Sequence, residues 1–181
     1  DAIDLEAVRR QALVHLEHDD IYRLLSDRGL SYGPAFQMLA EMHRTTDECV
    51  VSVKLPESIV KEAAEYHLHP VLGDALLQTM AGIVPLEDNG SFSPFTYMPV
   101  GVRQVRIFKI IDDFTQPLFA YAHRISRDSS PSPERVEGDL FLANANGEVI
   151  AALEGAQVQR LGRSGIAGSS TDTSRWLYEI A

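Results

Sequence analysis

A single cysteine, Cys49, stands among the 181 residues. That excludes an internal disulfide and any metal site built from several thiolates. Cys49 falls in an alternating apolar pattern, which reads as a buried, inert thiol. Basic residues are scarce as well: 16 Lys and Arg against 26 Asp and Glu leave a net charge of −10. This balance argues against nucleic acid as a partner, since a phosphate backbone needs a basic face. It suits a soluble, cytoplasmic surface. No apolar run approaches the roughly 20 residues of a membrane span, and no signal peptide precedes the first element, so no membrane contact is expected. Internal repeats are absent. The chain opens on Asp1 rather than methionine, which suggests a segment of a longer polypeptide. What is present, 45% apolar residues, suffices for the full core of one ordinary domain.

Hydrophobic periodicity sets the expected elements. From Leu5 to Arg28 the apolar residues Val8, Ala12, Leu16, Ile21, Leu24 and Leu25 form a broken helical stripe. Asp19-Asp20 is placed to cap a shorter second helix, which Gly29 would stop. Ser31-Tyr32-Gly33-Pro34 is a turn. Two strands follow; in the second, Cys49, Val51, Val53 and Leu55 share one face, with Glu48, Ser52 and Lys54 on the other. Pro56 ends it. A helix is expected from Pro70, well suited to the first helical position, to about Val84. Pro94 and Pro99 flank the aromatic run Phe95-Thr96-Tyr97. A strand from Val100 to Ile111 has imperfect alternation, which points to burial on both faces or to a bulge. Strands are also expected over Leu118 to Ile125, Val136 to Ala143 and Glu148 to Leu161. The last two are joined by a hairpin at Asn144-Ala145-Asn146-Gly147.

These elements imply an α+β hotdog fold, a curved antiparallel sheet wrapped around one central hydrophobic helix. The expected divisions are an N-terminal helical linker (1–30), the hotdog domain (31–161), and a flexible linker with the start of a following segment (162–181). A sheet edge left open would be expected to pair, a second copy of the chain included.

One carboxylate interrupts the central helix. From Val71 to Val84 the only polar side chains are Asp74, Gln78 and Thr79. A helix apolar on all sides must be covered on all sides, and an unpaired ionised carboxylate there costs several kcal/mol. Such groups persist mostly where they do chemistry or are held in a hydrogen-bond network. Asp74 is therefore read as the acid of an active site, with Gln78 one turn later on the same face to orient it. The plainer alternative is a carboxylate tied into a cap or a salt bridge. His67, His69 and Asp74 match no dedicated zinc spacing, and no metal is expected. His69, at the helix start, reads as a cap or a packing residue.

The sequence resembles the dehydratase domains of modular polyketide synthases. Tyr32-Gly33-Pro34-Ala35-Phe36-Gln37 matches the family's YGPxFQ, and His69 to Gln78 matches its HPxLxDAxLQ. Tyr97 to Val102 matches its LPVGV motif with Met98 in place of Leu. Gly138-Asp139-Leu140 and Gly147-Glu148-Val149-Ile150 match its closing strands, and Trp176-Leu177-Tyr178 resembles the tract that leaves such domains. Those dehydratases are double hotdogs with a catalytic histidine in the first half, in HxxxGxxxxP. None of His15, His18, His43, His67, His69 and His123 has both the Gly and the Pro at that spacing. The resemblance therefore implies the C-terminal half alone.

By the same resemblance Asp74 is the acid for removal of water from a β-hydroxyacyl chain carried on the phosphopantetheine of an acyl carrier protein. It must then be protonated, and burial in an apolar tunnel works in that direction. Tyr32 and Phe36, with Gly33 and Pro34 shaping the turn, are expected at the substrate. Arg103, Arg106 and Lys109 form the one basic cluster, a candidate dock for the acidic carrier or simply a solvated strand edge. No cofactor of its own is implied. The expected partners are the carrier protein, an N-terminal hotdog bearing the histidine, and other synthase domains. Without that hotdog the chain should not dehydrate efficiently. Other readings stay open: a silent scaffold or interaction module, a dehydratase-like cyclase or isomerase, or a stand-alone hotdog thioesterase.

Overall fold

A computed structural model describes residues 2–161. The tract from 162, with Trp176-Leu177-Tyr178, lies outside the described residues. In chain order the elements are α1 (Leu5–Arg10), β1 (Val14–Glu17), α2 (His18–Ser26), β2 (Leu39–Arg44), β3 (Glu48–Val53), α3 (Glu57–Ala63), α4 (Pro70–Gln78), β4 (Tyr97–Gly101), β5 (Gln104–Ile107), β6 (Leu118–Arg124), β7 (Arg135–Asn144) and β8 (Val149–Arg160). The eight strands form one sheet in the order β1-β2-β3-β6-β7-β8-β4, with β5 also on β8. Every pairing is antiparallel. The hotdog expectation holds: α4 lies in the hollow of the sheet.

Local chemistry explains the central helix. Pro70 occupies its first turn, and the His69 ring caps it, Nδ1 accepting from the Val71 N–H at 3.2 Å. Leu72, Ala75 and Leu76 are fully buried among strand residues such as Val51, Leu140 and Leu142. The regular helix stops at Gln78, earlier than Val84, and a 3-10 turn continues from Thr79 to Gly82. The Thr79 hydroxyl donates back to the Leu76 carbonyl at 2.6 Å. Gly82 passes so near β3 that a Cβ there would sit 2.3 Å from Cys49 Sγ.

The first thirty residues are not a separate helical linker. Residues Val14–Glu17 form the edge strand β1, paired residue for residue with β2. Four residues are too few for a periodic signal, and the pairing with β2 supplies what propensity does not. The next helix starts at His18, so Asp19 and Asp20 sit in its first turn rather than at its cap; Gly29, at φ +81°, ends the segment as expected. Helix α1 lies on the outer face of the sheet, where Leu5 and Val8 cover Val50, Phe119 and Tyr121. This is why β3 buries consecutive residues. Helix α3 lies in the tract after Pro56, where no element was expected; of its residues only Ala63 is buried.

The expected strand from Val100 to Ile111 is two short strands. Burial on both faces is overturned, since Val100, Val102, Val105, Ile107, Phe108 and Ile110 are all exposed. The bulge is present, as a register shift between Pro99 and Gly101. The closing strands and their hairpin match expectation; Gly147, at φ +76°, donates its N–H to the Asn144 carbonyl at 3.0 Å.

Candidate active site

Asp74 lies past the first turn of α4, half-buried, on the wall of a narrow pocket of about 60 Å³. Leu24, Leu25, Leu77, Met80 and Phe92 give that pocket its apolar lining, and Asp74, Gln78, Tyr32, Arg28 and Ser93 supply polar groups. Arg28 is committed to backbone, donating to the carbonyls of Ser93 and Leu24 at 2.6 Å each. Among the described residues no Lys or Arg forms an ion pair with Asp74.

Gln78 organises the carboxylate. Its Nε2 donates to Asp74 Oδ2 at 2.7 Å and to the Phe36 carbonyl at 2.9 Å. Its Oε1 accepts from the Tyr22 hydroxyl at 3.0 Å, and that hydroxyl accepts the Leu39 N–H at 3.0 Å. The three contacts of the amide agree on one orientation. The network ties α4 to α2, to the 3-10 turn at Pro34–Phe36 and to the start of β2. Asp74 Oδ1 has no protein partner among the described residues. Tyr32 lines the same pocket, edge-on to Tyr22 at 6.1 Å between ring centres. Burial, and then the charge of Asp74, pushes the Tyr32 phenol up to about 12. Burial also raises that of Tyr22. Both phenols therefore stay neutral at physiological pH.

The expectation for the Tyr32–Gln37 motif needs correction at three residues. Gly33 and Pro34 are exposed and Phe36 is 41% exposed, and none of the three lines the pocket. The 3-10 turn presents the Phe36 carbonyl, not its ring, to Gln78. Gln37 closes the motif by donating to the Tyr32 carbonyl at 2.8 Å. His69 stays apart from Asp74: Nδ1 caps α4 and Nε2 faces Glu62 at 3.7 Å. The basic cluster is paired throughout: Arg103 with Glu137 at 3.9 Å, Arg106 with Glu154 at 3.5 Å and Lys109 with Glu148 at 3.0 Å.

Sequence reasoning missed Tyr22. It sits between Ile21 and Leu24 in the apolar stripe of α2, where an aromatic passes for one more core residue, and only its hydroxyl betrays a second task. Tyr22→Phe is expected to destabilise the fold by about 1–2 kcal/mol, because Gln78 Oε1 and the Leu39 N–H both lose their partner. Urea unfolding checks this, and an unchanged midpoint would show the relay to be dispensable.

A family described as the polyketide synthase dehydratase N-terminal domain matches residues 1–166. The chain belongs to the polyketide synthase dehydratase family. It superposes on the dehydratase domain from the CurF module of curacin polyketide synthase with a TM-score of 0.73 and 25% identity, covering 89% of this chain and 53% of that one. It is 28% identical over 160 residues to the phthioceranic/hydroxyphthioceranic acid synthase of Mycobacterium tuberculosis, covering 87% of this chain and 7% of the synthase. Over 93 residues it is 37% identical to the spectinabilin polyketide synthase system protein NorA of Streptomyces orinoci, covering 51% of this chain and 5% of that protein. The dehydratase chain thus spans about half of a solved dehydratase domain and less than a tenth of these two synthases. Among the described residues, no helix of this dehydratase chain is long and apolar enough to cross a membrane.

Proposed function

We propose that the chain is the second, C-terminal hotdog of a polyketide synthase dehydratase, and that Asp74 is the acid in eliminating water from β-hydroxyacyl-carrier-protein intermediates. The observation that carries this is the Asp74–Gln78 pair on the central helix, open to an apolar pocket and free of any cationic partner among the described residues. A base takes the α-proton, its electrons form the Cα–Cβ double bond, the C–O bond breaks, and Asp74 gives its proton to the departing oxygen. Water and an α,β-enoyl thioester result. Carbon is reduced at one centre as it is oxidised at the next, so the step needs no redox cofactor. Gln78 holds Oδ2 and leaves Oδ1 for the substrate; the phenol of Tyr32 is within the same pocket to bind the hydroxyl or carbonyl.

The matched family description names an N-terminal domain, whereas HPxLxDAxLQ with Asp74 supports the second half. His69 comes nearest to the HxxxGxxxxP pattern, with Gly73 four residues on, but Gln78 stands where the proline belongs and the ring is spent on capping. The first hotdog, with the base, is therefore the proposed partner. Two features support it: the chain spans about half of a solved dehydratase, and β4 and β5 leave an exposed apolar edge at Val100, Val105 and Ile107. Tyr97 and Pro99 of β4 also line the Asp74 pocket, so a hotdog seated on that edge would close over the acid. A cytoplasmic location and neighbouring synthase domains belong to the same reading.

The test is to assay β-hydroxyacyl carrier thioesters with this chain alone and joined to an upstream hotdog carrying the histidine motif. Dehydration is expected only when both are present. Full activity of the chain alone, or none in the joined protein, overturns the proposal.

The carrier is proposed to dock near Arg103 and Arg106, whose exposed ion pairs hold them only weakly. Reversing both to Glu should weaken carrier binding about three- to tenfold at low salt and less at high salt. Titration calorimetry at two ionic strengths checks this; unchanged affinity at both removes the docking role.

A further inference from the structure

At the opposite edge of the sheet from β4, four side chains of β1 and β2 form a square. The antiparallel register sets His15 against His43 and Glu17 against Glu41, on the same face with one residue pair between them. His15 Nε2 lies 2.9 Å from Glu41 Oε1 and 3.5 Å from Glu17 Oε1, and His43 Nε2 lies 3.6 Å from the same Glu41 oxygen. The donor atoms of His15, Glu41 and His43 are all within 4.8 Å of one another. The two imidazoles stack at 4.4 Å.

Two observations make this more than a surface ion-pair cluster. First, like charges directly opposite each other across a strand pair are destabilising, and Glu17 faces Glu41. The compensating charge must come from the imidazoles or from outside. The Arg9 guanidinium is already paired with Glu6 and lies over the Phe119 ring. Second, the spacing suits a metal. Ligands about 2.0–2.1 Å from a tetrahedral ion are about 3.3 Å apart, and Glu41 Oε1 lies 2.9 Å and 3.6 Å from the Nε2 atoms of His15 and His43, in a trio whose donor atoms are all within 4.8 Å of one another.

We propose that His15, Glu41 and His43 form a surface site for a borderline divalent cation, Zn²⁺ above all, with the Glu17 carboxylate beside it. Two neutral imidazole nitrogens with carboxylate oxygens are a donor set such ions accept, and a divalent charge offsets the facing glutamates. The ion would clamp β1 to β2. Glu17 stands at the N-cap position of α2, and α2 carries Tyr22 and the pocket residues Leu24 and Leu25. The clamp therefore braces the helix that holds Gln78 in place, remote from the reacting atoms.

The experiment is titration of the whole chain with Zn²⁺ alone, followed by calorimetry and by ring-nitrogen NMR of the six histidines. One ion per chain is expected, with perturbed ring signals confined to His15 and His43 and a thermal midpoint raised by several degrees. His15→Asn combined with His43→Asn should weaken binding at least about a hundredfold, and Glu17→Gln about tenfold. Both histidines lie at the sheet's edge, and the NMR titration of the unaltered chain decides the matter even where the double variant folds poorly. No saturable binding at about 100-fold excess, perturbation centred on other histidines, or unchanged affinity in a folded double variant overturns the site.

Discussion

Replacing Asp74 by Asn in a joined two-hotdog protein is expected to lower kcat for β-hydroxyacyl dehydration by about two to four orders of magnitude, the usual range for losing a positioned general acid. The change is close to isosteric and leaves the shape of the pocket intact. An amide oxygen still accepts the Gln78 Nε2–H, so the bond now 2.7 Å long has a counterpart in the variant. On the proposed mechanism, what disappears is the proton that the departing hydroxyl requires. Leaving as hydroxide rather than water is the costly alternative. Stability should change by less than about 1 kcal/mol, because Asp74 is only half-buried and makes no ion pair among the described residues. Gln78→Ala should cost less activity than Asp74→Asn, since it misplaces the acid without removing it, and more stability, since Gln78 is 4% exposed and its loss takes one hydrogen-bond partner each from the Tyr22 hydroxyl and the Phe36 carbonyl. Steady-state kinetics with a β-hydroxyacyl carrier thioester, paired with melting curves, separate the two. If Asp74→Asn left about a third of the wild-type kcat, a loss far below that range, Asp74 would be removed from the mechanism.

The largest stability effect is expected at Gly138 of β7. A Cβ there would lie 2.5 Å from Ile83 Cδ1 and 2.8 Å from the His123 carbonyl oxygen. The first contact is with a side chain already fully buried behind the central helix. The second is with backbone of β6, which pairs with β7 along its whole length and cannot retreat without lengthening that ladder. Gly138→Ala should therefore destabilise the fold by about 3 kcal/mol or more, at the upper end of overpacking costs. Gly73→Ala is the matched control. A Cβ at Gly73 meets nothing within 4 Å, and the residue is helical, so that change should stabilise by about 0.5–1 kcal/mol. Urea unfolding of both variants checks the pair; a Gly138→Ala protein within about 0.5 kcal/mol of wild type would contradict this packing.

Much of this was legible in the residues. Pro70 and the apolar run after it marked the central helix, and Asn146-Gly147 marked the last hairpin, because each is written in neighbours along the chain. Asp74 stood out for being the one charge in that run, and Gln78 for its place one turn later. The edge strand β1 was not legible: a strand of four residues acquires its identity from the partner it pairs with. Val50 could not be recognised as buried without knowing that α1 lies across it. The run from Val100 looked like core because it is apolar, yet burial depends on what stands opposite.

Local order and the acid on the central helix thus belong to the sequence, since capping, turn chemistry and periodicity act over a few residues. Register and packing decided the rest. Only the folded sheet brings Tyr22 to Gln78, sets an acid of β7 or β8 against Arg103 and Arg106, and gathers His15, Glu17, Glu41 and His43, because each of these joins groups held together by pairing between strands or by burial rather than by nearness in the chain.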